Sequence, residues 1–138
     1  MGGIFPVGKR ELASDYLLGI DLGTMGVKST VYDLDGKNMG SAFREYPIES
    51  PFPSWAEQDQ TRWWHETVSS INEATRKIRV DQIAAIGICG QGHGMTALDK
   101  DGKVLYPCIT WVDQRTTNQV HWVMEHIGQK RVFEISGL

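Results

Sequence analysis

The spacing of hydrophobic positions changes several times along this chain, and each change predicts an element. Residues 16–20 (Tyr-Leu-Leu-Gly-Ile) form a short apolar run that stops abruptly at Asp21. Residues 27–34 then alternate with the period of a pleated strand, with Val27 and Val31 opposed to Tyr32 and Leu34. Asp35-Gly36 closes a tight turn into residues 37–46, so the first third reads as three antiparallel strands, a β-meander. Pro47, Pro51 and Pro53 break the pattern and carry the chain across an irregular loop. Asp59 is a good N-cap, and Trp64, Val68, Ile71, Thr75 and Ile78 recur at helical spacing, which predicts a helix ending near Arg79 with those residues on its apolar face.

Residues 83–89 are apolar on both faces, as expected of a parallel strand buried in mid-sheet after a crossover helix. Residues 94–99 and 103–109 flank Lys100-Asp101-Gly102, a further hairpin turn. Thr116, Val120, Val123, Met124 and Ile127 mark a second helix stopped by Gly128. Residues 1–15 lack periodicity and are expected to form a flexible tail. The order βββ-α-β-ββ-α is an α/β arrangement in which Asp21 and Gln91 both fall at the carboxyl ends of strands. If those strands are neighbours, the glycine-rich turns after them open into one crevice, where open α/β sheets bind ligands.

Composition narrows the function classes. The 138 residues carry 14 Lys+Arg and 17 Asp+Glu, a net charge of −3, too little positive charge for nucleic acid to be the expected partner. A hydrophobic share of 41% is enough for a core. The apolar runs are far shorter than the ~20 residues of a membrane span, and no signal-peptide core precedes Lys9-Arg10, so the expected location is cytoplasmic. Cys89 and Cys108 fit neither a disulfide framework nor a zinc site and are expected to be two small buried thiols.

Several phosphate- and metal-binding motifs are imitated and not met. Gly26-Val27-Lys28-Ser29 lacks the Gly-Lys pair and the following helix of a Walker A loop. Gly90-Gln91-Gly92-His93-Gly94-Met95 has Met95 where a dinucleotide fingerprint needs its third glycine. Asp99-Lys100-Asp101-Gly102 puts Lys103 at a calcium-ligand position, so it reads as a turn. Asp21-Leu22-Gly23-Thr24-Met25-Gly26-Val27-Lys28 passes this filter. A carboxylate at a strand end can hold Mg2+ or its waters, the glycines let backbone N–H groups approach phosphate, Thr24 adds a hydroxyl and Lys28 a positive charge. The other reading of the same spacing is a plain hairpin turn with Asp21 bonding local amides and Lys28 solvated.

This segment resembles the first phosphate loop of the sugar-kinase, actin and Hsp70 superfamily. With Gly90-Gln91-Gly92-His93-Gly94 after an apolar strand and Trp111-Val112-Asp113-Gln114-Arg115 before a helix, the chain from about Tyr16 to Leu138 is similar to the N-terminal portion of the FGGY carbohydrate kinases, xylulokinase-like members in particular. Trp55-Ala56-Glu57-Gln58-Asp59 and Ser136-Gly137-Leu138 also resemble landmarks of that family. The resemblance implies an incomplete actin-like, ribonuclease H-like ATPase domain over residues 16–138. It also implies transfer of the γ-phosphoryl group of ATP to a ketose or polyol hydroxyl. Asp21, Gly23, Thr24 and Lys28 would serve ATP phosphate and Mg2+, with Asp21 the metal-side carboxylate. Gln91, His93, Trp111, Asp113 and Arg115 would belong to the sugar side. For Asp113 and Arg115 a helix-capping ion pair is an equal alternative.

Met25 stands where the family has a small hydroxyl residue, and Gly92 where xylulokinases carry Met, which predicts a wider pocket beside His93. The family's catalytic base is expected beyond Leu138, so the chain alone is expected to be inactive and, with an unpaired sheet edge, to self-associate unless the remainder of a kinase chain covers that edge. The competing readings are a non-catalytic sugar-binding or regulatory module and, last, an actin- or Hsp70-type ATPase fragment.

Overall fold

The apolar run ahead of Asp21 becomes β1 (Tyr16–Leu22), the strand around which the first sheet is built. On one side it pairs antiparallel with β2 (Gly26–Asp33), which pairs antiparallel with β3 (Asn38–Glu45); on the other it pairs in parallel with β5 (Ile83–Gly90). The order is β3-β2-β1-β5. These statements come from a computed structural model that describes residues 15–137. The described residues divide into two units, 15–47 with 61–91, and 48–60 with 92–137. Of the expected N-terminal tail, residues 1–14 lie outside the described residues, and Asp15 is tied to Gln82 through its amide and its carboxylate, both at 3.1 Å.

In the first unit, alternation sorts the strands into two faces. Leu18, Ile20, Val27, Val31 and Ala42 point one way and form the core with Tyr46 and Ala74. Helix α1 (Gln60–Ala74) covers this face, starting directly after Asp59 as expected. Of the expected stripe, Ile71 and Ile78 pack on the core and Thr75 is buried, Ile78 and Thr75 lying just past the end of the helix, while Trp64 and Val68 are exposed. Trp64 is 70% exposed, whereas Ser70 and Ala74 are buried, with Trp63 and Ile71 packed beside them. Small residues decide this, because they let the helix come close to the sheet. Ser70 Oγ lies 2.6 Å from Ser29 Oγ on β2, and a Cβ on Gly40 of β3 would fall 2.1 Å from the Ala74 carbonyl oxygen. The helix also ends at Ala74, short of Arg79, and the chain reaches β5 through a 3-10 turn at Val80–Gln82.

β5 is parallel, as expected, yet it is not buried. Ile88 is 74% exposed, because among the described residues β5 pairs only with β1 and α1 lies over β2 and β3.

The second unit holds a smaller antiparallel sheet in the order β4-β7-β6, made of β4 (Glu57–Gln58), β6 (Met95–Leu98) and β7 (Val104–Ile109). β4 follows the proline-broken stretch and is not expected from sequence; two residues are too few to show a period. The β6–β7 connection is a turn in which the Asp99 carboxylate accepts from the Asp101 and Lys103 amides, with Gly102 at φ +80. Helix α2 (Thr117–His126) forms where expected, but Val120, Met124 and Ile127 of its apolar stripe are exposed. Gly128, at φ +83, ends it, and the chain restarts as α3 (Gln129–Ser136), an element the sequence pattern did not reveal. No helix among the described residues is long and apolar enough to cross a membrane.

The Gly40 contact gives a stability test. Gly40→Ala forces the α1 terminus off the sheet and lowers stability by about 1–3 kcal/mol, the usual cost of overpacking. Gly87→Ala, where a Cβ meets nothing within 4 Å, leaves it nearly unchanged. Paired thermal melts of the two variants check this.

Candidate functional site

Asp21 and Lys28 are register partners across β1 and β2, one residue inside the turn that joins the strands. Both are exposed on the sheet face away from the core, and among the described residues neither is tied up in an ion pair. They line a shallow depression of about 420 Å3 that also includes Gly19, Thr30, Gly87 and Cys89. The turn is closed by the Gly23 amide donating to the Gly26 carbonyl at 3.0 Å. Gly26 has to be glycine, since a Cβ there would lie 2.4 Å from the Arg44 carbonyl oxygen and 2.6 Å from the Phe43 ring.

Gln91 follows β5 immediately, and its amide donates to the Leu22 carbonyl at 2.8 Å. The structure therefore brings Gln91 beside the end of β1, as the neighbouring-strand argument requires. Cys89, expected to be buried, is instead exposed opposite Asp21, and its thiol donates to Asp21 Oδ1 at 3.4 Å. The bond to the Asp21 carboxylate pushes the thiol pKa up, with desolvation and the carboxylate's charge adding to it. Cys108 is buried, as expected.

In the second unit His93 holds a left-handed conformation, φ +62, and is exposed, as is Trp111. Asp113 and Arg115 form the centre of a buried polar network. Their side chains are 3% and 15% exposed. Arg115 Nη2 donates to Asp113 Oδ2 and to Glu57 Oε1, both at 2.7 Å, while its Nε donates to Asp113 Oδ1 at 2.8 Å. The Ala56 amide donates to Asp113 Oδ2 at 2.7 Å, Tyr106 donates to Glu57 Oε1 at 2.7 Å, and the guanidinium carbon sits 3.7 Å from the Trp55 ring centroid. Asp113 therefore pairs with Arg115 without capping α2, whose N-cap is Thr116 with no side-chain bond. The Arg115 guanidinium holds the Asp113 carboxyl at about 2, below the ordinary 3.8, and the Ala56 and Arg115 amides add to the effect against the opposing cost of burial. The same pairing raises the Arg115 pKa further above its usual range.

Comparison with known proteins places the chain in a family. The N-terminal domain of the FGGY family of carbohydrate kinases matches residues 16–138. The chain belongs to the FGGY family of carbohydrate kinases. It is 34% identical to a xylulose kinase of Escherichia coli strain K12 over 115 residues, which cover 83% of this chain and 24% of that one. It is 30% identical to a glycerol kinase of Acaryochloris marina over 129 residues, covering 91% and 26%. A solved gluconate kinase from Lactobacillus acidophilus superposes with a TM-score of 0.83 at 28% identity, covering 89% of this chain and 25% of that one. The chain spans about a quarter of the length of the curated relatives it matches.

Within this FGGY chain, two segments that looked like separate family landmarks prove to be one network, because Trp55 and Glu57 hold Arg115. Glu57 and Trp55 were legible only through that landmark, and Tyr106 carried no signal, since it sits on a strand among ordinary strand residues. Tyr46 was also missed. Its phenol is pushed up to about 12 by burial and by the nearby Asp21 charge.

The Asp113 carboxyl titrates lower in the folded chain than in the unfolded one, so the network adds stability at neutral pH that is lost as pH falls from the ordinary 3.8 towards about 2. Asp113→Asn lacks this contribution. Its melting temperature lies below that of the parent at pH 7, and the gap closes progressively below about pH 4; scans across pH 7 to 2 check it.

Proposed function

We propose that this chain supplies the phosphate turn and the sugar-side loops of an ATP-dependent carbohydrate kinase acting on a ketose or related polyol. The observation that carries the reading is Asp21 opposite Lys28 at the end of the central strand, next to a glycine turn, with Gln91 at the adjacent strand end. In the reaction the acceptor hydroxyl oxygen bonds to the γ-phosphorus, the bond from that phosphorus to the β-phosphate oxygen breaks, and the hydroxyl proton passes to a base. Positioning and charge neutralisation do most of the work.

Among the described residues no group of three or more His, Cys, Asp or Glu side chains could hold a metal by itself. A lone exposed carboxylate suits Mg2+ all the same, because this cation keeps waters and takes phosphate oxygens beside one or two carboxylates. Asp21 would hold the ion or its waters, Lys28 would offset phosphate charge, and Gly23 and Thr24 would approach the phosphates. Mg2+ when bound would neutralise charge on the transferring group. On the sugar side, Gln91 and His93 would bond hydroxyls and Trp111 would form a flat wall. Asp113 and Arg115 would act by holding the 111–115 loop, their polar groups being committed to each other, Glu57 and Ala56. Gly92, where a Cβ would meet nothing within 4 Å, leaves room beside His93 for a bulkier acceptor. A cytoplasmic location, where ATP is supplied, belongs to the same proposal.

The chain by itself is proposed to bind and not to turn over. Asp113 is bonded to Arg115 and held ionised, so it is a poor acceptor for the hydroxyl proton. Calorimetric titration with Mg·ATP, and separately with xylulose, glycerol and gluconate, tests the reading. Mg·ATP binding is expected to weaken at least tenfold in Asp21→Asn and Lys28→Ala. Sugar binding is expected to weaken in His93→Ala and Trp111→Ala and to persist in Asp21→Asn. Sugar binding with no Mg·ATP binding would instead make the chain a sugar-binding module, and sugar-dependent ADP release by these 138 residues would overturn the claim of inactivity.

A further inference from the structure

Tyr46 follows the last residue of β3 and is 4% exposed, yet its two donors, the phenol and the backbone amide, both serve the turn between β1 and β2. Its phenol donates to the Gly23 carbonyl at 2.5 Å, and its amide donates to the Met25 carbonyl at 3.3 Å. The ring is anchored from behind by Trp63 of α1, with centroids 6.4 Å apart. A trans peptide directs its N–H opposite to its C=O, and no cis peptide occurs among the described residues. Holding the Gly23 carbonyl towards the phenol therefore turns the Thr24 N–H the other way, and holding the Met25 carbonyl does the same for the Gly26 N–H. The negative ends of both peptide dipoles are kept on the Tyr46 side of the turn, and the positive ends face away from it.

We infer that Tyr46 is a positioning residue for phosphate binding, setting the orientation of the Gly23–Thr24 and Met25–Gly26 peptides so that their N–H groups face the nucleotide. This rests on the phosphate-turn reading above. Backbone amides turned to one side are what anion-binding turns use, and a phosphate meeting the carbonyls instead would be repelled. Nothing in the phenol need touch the nucleotide. Its closeness to the candidate site is reflected in the Asp21 charge raising its pKa.

Tyr46→Phe keeps the ring against Trp63 and removes only the hydroxyl, so two readouts on the 138-residue chain separate the possibilities. The first is amide exchange without ligand. The Gly23 amide, which closes the turn, is expected to exchange about five- to tenfold faster in the variant, the scale of one lost hydrogen bond, while the Leu18 and Val31 amides hold. Unchanged Gly23 exchange, or equal acceleration across the sheet, overturns the inference. The second is calorimetry. Mg·ATP binding is expected to weaken about tenfold in Tyr46→Phe while binding of xylulose stays the same. A faster-exchanging turn with unaltered Mg·ATP affinity would show a merely structural bond and would overturn the positioning role. Absence of Mg·ATP binding by the parent chain would instead defeat the phosphate-turn reading itself, and the positioning role with it.

Discussion

Everything that positions the candidate phosphate site depends on β1 being paired along its length on both sides. β2 returns antiparallel from its end, and β5 arrives in parallel after the α1 crossover. An antiparallel partner places Lys28 directly opposite Asp21, and a parallel partner places Cys89 and then Gln91 at the same end of the sheet. Neither arrangement alone would suffice. A hairpin gives a turn with no neighbour, and a parallel pair without the hairpin gives strand ends with no glycine turn between them. The mixed sheet produces a turn and a strand terminus together, which is where α/β proteins collect ligands.

Close approach packs the sheet tightly beneath this turn. Gly26 admits the Arg44 backbone and the Phe43 ring, Gly40 admits the end of α1, and the Ser29–Ser70 hydroxyl pair joins helix to sheet inside the core. Tyr46 uses the same closeness for a different purpose, reaching from the end of β3 to the carbonyls of Gly23 and Met25. A buried tyrosine needs a partner for its hydroxyl, and here the partner is the turn itself.

In the second unit the organising element is charge. One guanidinium meets two carboxylates and an indole face, and it ties the segment around Glu57 to the loop that carries Trp111. Removing one partner of such a buried set leaves an unpaired charge, which is costly even where the intact set adds little net stability. Its value lies in fixing one loop conformation, since the five donors of Arg accept only a matching arrangement of acceptors.

The chain's sequence determined by itself the meander, the parallel crossover, the glycine turns and the family, because these depend on local periodicity, turn chemistry and motifs read in order. It also nominated Asp21, Lys28 and Gln91, which sit at strand ends that any correct strand assignment would locate. What only the tertiary structure decided was which faces are covered and which polar groups find each other. The inner side of α1 keeps Ile71 of the expected stripe but takes Ser70 and Ala74 in place of Trp64 and Val68, because the sheet below admits small residues and helical periodicity carries no record of the partner surface. β5 reads as a buried strand and stands exposed, because burial is a property of neighbours. Asp113, Arg115, Glu57 and Tyr106 are spread over some sixty positions of sequence and meet in one network, and Tyr46 meets Gly23 from twenty-three positions away. Contacts of that range are set by how elements pack, and no local pattern encodes them.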